Sequence, residues 1–177
     1  MILSTIKRND NKKLEAVHSL YESAFPKEER RDFYLIKQLI TEQPLFSLFY
    51  IEEHDQFIGF ISCWHLPHCT YIEHFATNPK VRNHGYGSKI LNTFVTQEKA
   101  PIVLEVEIPD NEMAQRRIAF YQRNGFRLLP YPYLQPPYHE GDEMLPMRIM
   151  HWGNEQSVEH FDFFVKEIYK EVYRYKA

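Results

Sequence analysis

A chain of 177 residues is long enough to bury a core without disulfides or metals to hold it together. Hydrophobic residues make up 44% and charged residues 25%, and the 13 Phe and 12 Tyr argue against a disordered polypeptide. A net charge of −3 provides no basic field, so bulk nucleic-acid binding has no support and an anionic ligand needs a local site. The two cysteines, Cys63 and Cys69, do not amount to a disulfide framework and read as reduced thiols. Met1–Arg8 has no basic region leading into a long apolar run, and no stretch has the apolar length of a membrane span. The expectation is a soluble, cytoplasmic protein with neither a membrane nor a nucleic acid as partner.

In chain order, residues 2–7 read as a short strand. Asn9 to Ala24 reads as a helix with Leu14, Val17, Leu20, Tyr21 and Ala24 on one face. Phe25-Pro26 ends it, because a residue before proline is pushed out of the helical region. Lys27 to Arg31 is a charge-dense connector, and Asp32 is placed to cap a second helix reaching about Thr41. Leu45–Glu52 and Phe57–His65 form a strand pair around a turn at His54-Asp55-Gln56. Tyr71–Thr77 is the next strand, closed by Asn78-Pro79, and Tyr86 to Gln97 is an amphipathic helix. A strand at Ile102–Ile108 and a helix from Asn111 to Asn124 follow, the helix stopped by Gly125. Phe126–Leu129 and Met144–His151 read as strands. The Pro- and Tyr-rich stretch between them reads as an irregular arm or a proline-broken edge hairpin. Asn154 to Tyr175 reads as a helix with Val158, Phe161, Val165, Ile168 and Val172 on one stripe; packing on the domain is its first role, a homodimer contact its second. There is no repeat and no domain boundary, so residues 1–177 form one mixed α/β domain.

Arg82-Asn83-His84-Gly85-Tyr86-Gly87 lies between a strand and a helix. Backbone N–H groups at a helix start are unpaired and sit at the positive end of the dipole, so they bind phosphate. Glycine at 85 and 87 permits close approach and unusual φ values, and Arg82 can add a charged contact. On its own the motif is equally well a tight turn. It is neither a Walker loop nor the dinucleotide fingerprint, since each requires a further glycine.

The segment Tyr71–Val81 leads straight into this loop, and Arg116-Arg117-Ile118-Ala119-Phe120-Tyr121-Gln122-Arg123-Asn124-Gly125-Phe126 follows downstream. Taken together, these residues resemble the GNAT acetyltransferase superfamily: its fourth strand, its Arg/Gln-x-x-Gly-x-Gly/Ala loop and its Phe-Tyr…Gly-Phe helix ending. The resemblance covers about Leu45 to Leu129. It implies a mostly antiparallel central sheet flanked by helices, with acetyl-CoA as co-substrate and no metal. The acceptor it implies is a primary amine of a small molecule, peptide or protein.

The resemblance also places roles. The cofactor pyrophosphate falls on the loop Val81, Arg82, Asn83, His84, Gly85, Tyr86, Gly87 and Ser88, with Lys80 or Lys89 near the outer phosphate or simply solvated. The pantetheine arm runs beside the main chain of Phe75 and Thr77, as an added strand would. An alkylamine, with a pKa of about 10.4, must lose a proton before attack, and the departing thiolate must gain one. Glu73 is the residue placed for the first task, directly or through water; its other reading is a carboxylate that orders substrate or pairs with an arginine. Regular alternation would put Tyr71, Glu73, Phe75 and Thr77 on one face and His74 on the other. Tyr121 matches the family's general acid, its other reading being a core aromatic. Where the family often has asparagine, seven residues before this tyrosine, the chain has Ala114, with Asn111 nearby as a substitute.

His65-Leu66-Pro67-His68-Cys69 has a metal-like look but lacks paired ligand spacing, and Cys63 reads as a small core residue, not a nucleophile. Phe25–Arg31, with Glu28, Glu29 and Arg30, and Tyr131–Tyr138 are candidates for the acceptor side or for structure. Two rival functions share the scaffold: a catalytically silent acetyl-CoA sensor, and a transferase with another acyl group or an oxygen acceptor.

Overall fold

The structure, a computed structural model, describes residues 1–154 and 161–175. Its strands are β1 (Ile2–Thr5), β2 (Phe46–Glu53), β3 (Gln56–His65), β4 (Thr70–Thr77), β5 (Ile102–Glu107), β6 (Arg127–Leu128), β7 (Tyr133–Gln135) and β8 (Leu145–Trp152). They form one sheet in the order β1-β2-β3-β4-β5-β8-β6, with β7 also pairing β8. Among the described residues only β4 and β5 run parallel; the other pairs are antiparallel.

The helices are α1 (Asn11–Ala24), α2 (Phe33–Glu42), α3 (Tyr86–Gln97), α4 (Glu112–Arg123) and α5 (Phe161–Glu167). Alternating strand residues feed two cores. Leu48, Phe60, Val103 and Ile149 pack with Leu14, Val17, Tyr21, Phe33 and Ile36 of α1 and α2, and with Phe164 of α5. Ile58, Ile61, Ile102 and Leu104 pack with Ile90, Leu91, Phe94 and Ile118 of α3 and α4. Fully burying one such side chain is worth about 1.5–3 kcal/mol, so these two layers dominate the stability.

Local sequence accounts for most boundaries. Phe25 leaves the helical region before Pro26, as expected. Asn111 accepts a hydrogen bond from the Ala114 N–H, 2.9 Å away, and so caps α4; Gly125 follows that helix at φ 87°. Asp32 occupies the cap position of α2 but makes no side-chain cap bond. The β2–β3 turn is two residues, His54 and Asp55, at φ 50° and 60°, the positive pair that a tight hairpin requires.

One open alternative is resolved and two expectations are corrected. The Pro/Tyr stretch takes the edge-hairpin form: β7 pairs β8 through Tyr133↔Met147 and Gln135↔Leu145, with Pro146 opposite Leu134 at the sheet edge. The last helix does not reach Tyr175. It widens into a π-helical turn over Ile168–Val172, and Arg174 lies at φ 53°; residues 155–160, with Val158, are outside the described residues. Of the expected stripe Ile168 and Val172 are fully buried and Phe161 and Val165 only partly, while Phe164, outside that stripe, is the third residue docked in the core.

The second correction concerns β4. Ser62 faces His74 but Cys63 faces Ile72, so Glu73 is an extra residue, a bulge. The bulge breaks the alternation: His74 joins Tyr71 and Glu73 on the α1–α2 side, whereas Phe75 turns to the α3–α4 side. Just before it, the β4–β5 ladder ends at Ile72↔Leu104, though both strands continue. A wedge opens between them.

Gly59 on β3 shows how tightly this strand pair is set, since a Cβ there would lie 2.3 Å from the Ala76 carbonyl oxygen on β4. Backbone cannot swing aside as a side-chain tip can. Gly59→Ala is therefore expected to destabilise the fold by about 1–3 kcal/mol, read as a lower urea midpoint at unchanged slope.

Candidate active site

The wedge is the mouth of a cavity of about 310 Å³. Its walls come from both strands, from the α1–α2 connector (Phe25, Glu29), from α4 (Arg117, Tyr121) and from Gln135 on β7. On one rim lies the loop before α3. Val81 is buried and anchors it, while Arg82, Asn83, His84 and Gly85 are exposed and Tyr86, Gly87 and Ser88 half-buried. Asn83 and Gly85 take φ 65° and 76°, which lets the chain enter the helix abruptly. The first intrahelical bond runs from the Lys89 N–H to the Gly85 carbonyl, 3.1 Å, so the N–H groups of Tyr86, Gly87 and Ser88 face out of the helix end.

Gly87 answers a different need. A Cβ there would come within 3.2 Å of the Phe120 ring, so its absence lets α3 lie close to α4. Lys89 is turned away from the loop and pairs with Glu53 on β2. Asn111 is occupied by its capping bond and by Asp110, which accepts from it at 2.9 Å.

Beyond Ile72 the β4 edge has no β5 partner, which leaves main-chain groups of Phe75 and Thr77 facing the cavity. The bulge residue Glu73 is the charged centre of the cavity wall on the α1–α2 side. Its Oε1 accepts from Arg31 Nε at 2.8 Å and the Tyr138 hydroxyl at 3.2 Å, and its Oε2 from Trp64 Nε1 at 2.9 Å. Burial would raise this carboxyl, but the Arg31 guanidinium and the Trp64 hydrogen bond outweigh it and hold the group below its ordinary value. It stays ionised.

His74 beside it is buried and tied at both nitrogens. Nε2 donates to the Glu29 carbonyl at 3.1 Å, which leaves Nδ1 to accept from the Ser62 hydroxyl at 3.2 Å. Burial lowers its pKa, so the ring is neutral and works as a strut between β4 and the connector. Tyr121 lines the cavity from α4, and burial pushes its hydroxyl up to about 12, so it carries its proton at neutral pH. Glu29 is raised by burial and by the nearby Glu107.

The loop, the β4 edge, Glu73 and Tyr121 therefore meet around one cavity. The sequence model of the acetyltransferase (GNAT) family matches residues 14–126. The chain belongs to that family. A GNAT-family protein of Bacteroides thetaiotaomicron, described as an acetyltransferase, is 39% identical over 99% of this chain and 100% of its own, with a TM-score of 0.95. A Bacillus subtilis acetyltransferase solved in complex with CoA is 12% identical over 86% of this chain and 97% of its own, TM-score 0.59. A chimera of the Vibrio cholerae spermidine N-acetyltransferase is 14% identical over 85% of this chain and 93% of its own, TM-score 0.63. These last two share the fold. No curated protein sequence matches the chain.

Sequence reasoning named the stretches Phe25–Arg31 and Tyr131–Tyr138, which hold Arg31 and Gln135, without singling out either residue, and it passed over Glu105 and Tyr173; the structure brings all four to this region. Arg31 is indistinguishable from Arg30 in a run of charges. Glu105 did carry a signal: it alternates with Val103 on a buried face, where a carboxylate is out of place. The other tempting groups are engaged elsewhere. His68 pairs with Glu167, His65 contacts Ser47 and Glu98, and Cys63 and Cys69 are buried free thiols.

The Arg31–Glu73 pair is buried on both sides, so removing one partner strands the other charge. Arg31→Ala is expected to cost about 3–5 kcal/mol at pH 7 in chemical denaturation. Because the folded Glu73 has a depressed pKa, its contribution holds above the unfolded carboxyl pKa and fades as pH falls through the folded value. The deficit of the variant should accordingly shrink towards pH 3.

Proposed function

We propose that the protein is an N-acetyltransferase that moves an acetyl group from acetyl-CoA directly to a primary amine of a small molecule or peptide. The observation that carries this reading is the wedge itself: an unpaired strand edge, a helix-start N–H cluster and a protonated tyrosine all open on one cavity. The fit to the donor is physical. The Tyr86–Ser88 N–H groups suit a pyrophosphate, with Val81, Arg82, Asn83, His84 and Gly85 forming the turn that exposes them. The space beside Gly85, where a Cβ would meet nothing within 4 Å, leaves room for its approach. The β4 edge at Phe75 and Thr77 suits an amide-bearing arm that hydrogen-bonds as an added strand.

Bound there, the donor supplies an activated acyl carbon. The chain's own residues handle protons and position. Nitrogen–carbon bond formation breaks the carbon–sulfur bond, and Tyr121 gives its proton to the departing sulfur, recovering one from the acylated nitrogen. Glu73 orders the acceptor side by holding Arg31 and Tyr138. With three donors on its oxygens and a lowered pKa, it is a weak base for an ammonium. Its negative charge is fixed in place instead. The two buried free thiols fit a reducing compartment such as the cytoplasm.

A thiol-release assay with acetyl-CoA against a panel of alkylamines and short peptides tests the reading. Turnover is expected, with Tyr121→Phe lowering kcat about 100-fold or more while the KM for acetyl-CoA stays within threefold. Coenzyme binding without turnover on any amine would favour a sensor. Absence of coenzyme A binding would remove the acetyl-transfer reading altogether.

A further inference from the structure

A second cavity, of about 210 Å³, lies between α2 and the turn that follows Val172, and it shares no lining residue with the wedge. Leu35 and Leu39 of α2, Trp64 of β3 and Val172 give it an apolar wall. Arg31 and Arg174 add two guanidinium groups to that wall. An apolar hollow on which a few charged groups converge is the common form of a small-molecule site. No step of the acetyl transfer above takes place in it.

The protein uses only part of the Arg31 guanidinium. Nε donates to Glu73 at 2.8 Å and Nη2 to the Val172 carbonyl at 2.7 Å, while Nη1 makes no hydrogen bond to any described residue. A guanidinium offers N–H donors on every nitrogen of a rigid fork, so the Nη1 edge is left for a further acceptor. Arg31 lines this cavity and not the wedge. The rings of Trp64 and Tyr138, with centroids 5.7 and 5.0 Å from its central carbon, hold the group in place. Arg174 supplies the second charge. Its side chain has no ion pair or hydrogen bond among the described residues, and its backbone sits at φ 53°. The Tyr175 N–H bonds back to the Tyr169 carbonyl at 2.8 Å, so Arg174 holds a helix-end position where glycine or asparagine is usual. An arginine is strained there, yet its unpaired charge lines a cavity. The opposing charge on the lining is Glu42, which is exposed, so water screens it. Gln43 accepts from the Leu45 N–H at 3.3 Å through Oε1, and its amide N–H groups remain to donate.

We infer that this cavity is a second binding site, for a small aliphatic carboxylate, and that Arg31 transmits its occupancy to the wedge. The carboxylate takes N–H groups from Arg31 and Arg174, as charge-assisted bonds, and the aliphatic body covers Leu35, Leu39 and Val172. An inorganic anion would meet the two arginines but leave the apolar wall bare. Once the site is filled, one guanidinium serves two anions, the ligand and Glu73, and Glu73 lines the wedge. Its hold on Glu73 weakens, and the wedge wall that the pair braces loosens. Such a coupling between two binding sites is reciprocal.

The probe is sodium 4-methylpentanoate, titrated into the protein by calorimetry at pH 7.5 with and without coenzyme A. Wild type should bind it in both conditions, and should bind 4-methylpentanamide or sulfate at least tenfold more weakly. Arg174→Gly removes the charge and relieves the strained position, so it should melt at or above wild type yet bind the carboxylate at least fivefold more weakly. Gln38→Glu, an exposed change that adds a negative charge to the lining, should weaken binding likewise. Of the two tryptophans only Trp64 lines this cavity, so in Trp152→Phe the emission should shift saturably along the same titration. The coupling is read as turnover and rests on the acetyl-transfer reading. Saturating carboxylate should lower kcat/KM for an amine at least threefold in wild type and leave Arg174→Gly unaffected at the same concentration. No binding by wild type, equal binding of acid and amide, or full affinity in Arg174→Gly would overturn the site. Displacement of the carboxylate by coenzyme A, or an unmoved Trp64 signal, would place the ligand elsewhere and overturn it too. Binding with unchanged turnover would overturn the coupling alone. Binding as expected by a protein that acetylates no amine would count against the acetyl-transfer reading and uphold the site.

Discussion

The ion pair between Arg31 and Glu73 ties together three parts of the chain that are distant in sequence. Glu73 belongs to the bulge on β4, Arg31 to the α1–α2 connector, and the same guanidinium donates to the Val172 carbonyl, 2.7 Å away, at the end of the last helix. A buried pair of this kind adds little net stability over an apolar substitute, but it tolerates few alternative arrangements. Its effect here is to fix where the connector and the C-terminal turn sit relative to the wedge. The backbone N–H of Arg31 and the Tyr21 hydroxyl reinforce this at 2.9 Å, as does the His74 bond to the Glu29 carbonyl. The cavity wall is thus held by charge and hydrogen bonds where it cannot be held by apolar packing.

The wedge and the bulge are one device. Parallel pairing of β4 with β5 stops at Ile72, and the extra residue at 73 rotates the following side chains. Without the bulge, Glu73 and His74 would point to opposite faces and the connector would lose its strut. With it, both face the α1–α2 side while Phe75 packs towards Phe120 on the α3–α4 side. The same irregularity sends neighbouring residues of a single strand to the two different cores.

Most of the fold was legible in the sequence because hydrophobic period and turn chemistry act locally. The α1 stripe, the Asn111 cap, the Gly125 stop and the β3 run each follow from a few adjacent residues. The bulge was not legible, since it depends on the register against β3, and that register is set by the whole strand pair. For the same reason regular alternation misplaced His74. The loop at 82–87 and Tyr121 could be read from motif order. Arg31, Gln135 and Tyr173 could not, because their relevance comes only from the topology that brings the connector, the edge hairpin and the last helix to one place. Glu105 lies between these cases. A carboxylate on the inner face of a central strand is visible as an anomaly, though its neighbours are not.

Two carboxylates in one hydrogen-bonded network are driven in opposite directions by one difference, the presence of a cation. Arg31 keeps Glu73 charged, whereas Glu105 has only neutral donors and is raised to about 7. For proton removal from an amine of pKa about 10.4, a carboxylate at about 4.5 faces a deficit of roughly 8 kcal/mol. At about 7 the deficit is roughly 5 kcal/mol. Enclosing an ammonium beside it narrows the gap further, because burial lowers the pKa of a cation as it raises that of an anion.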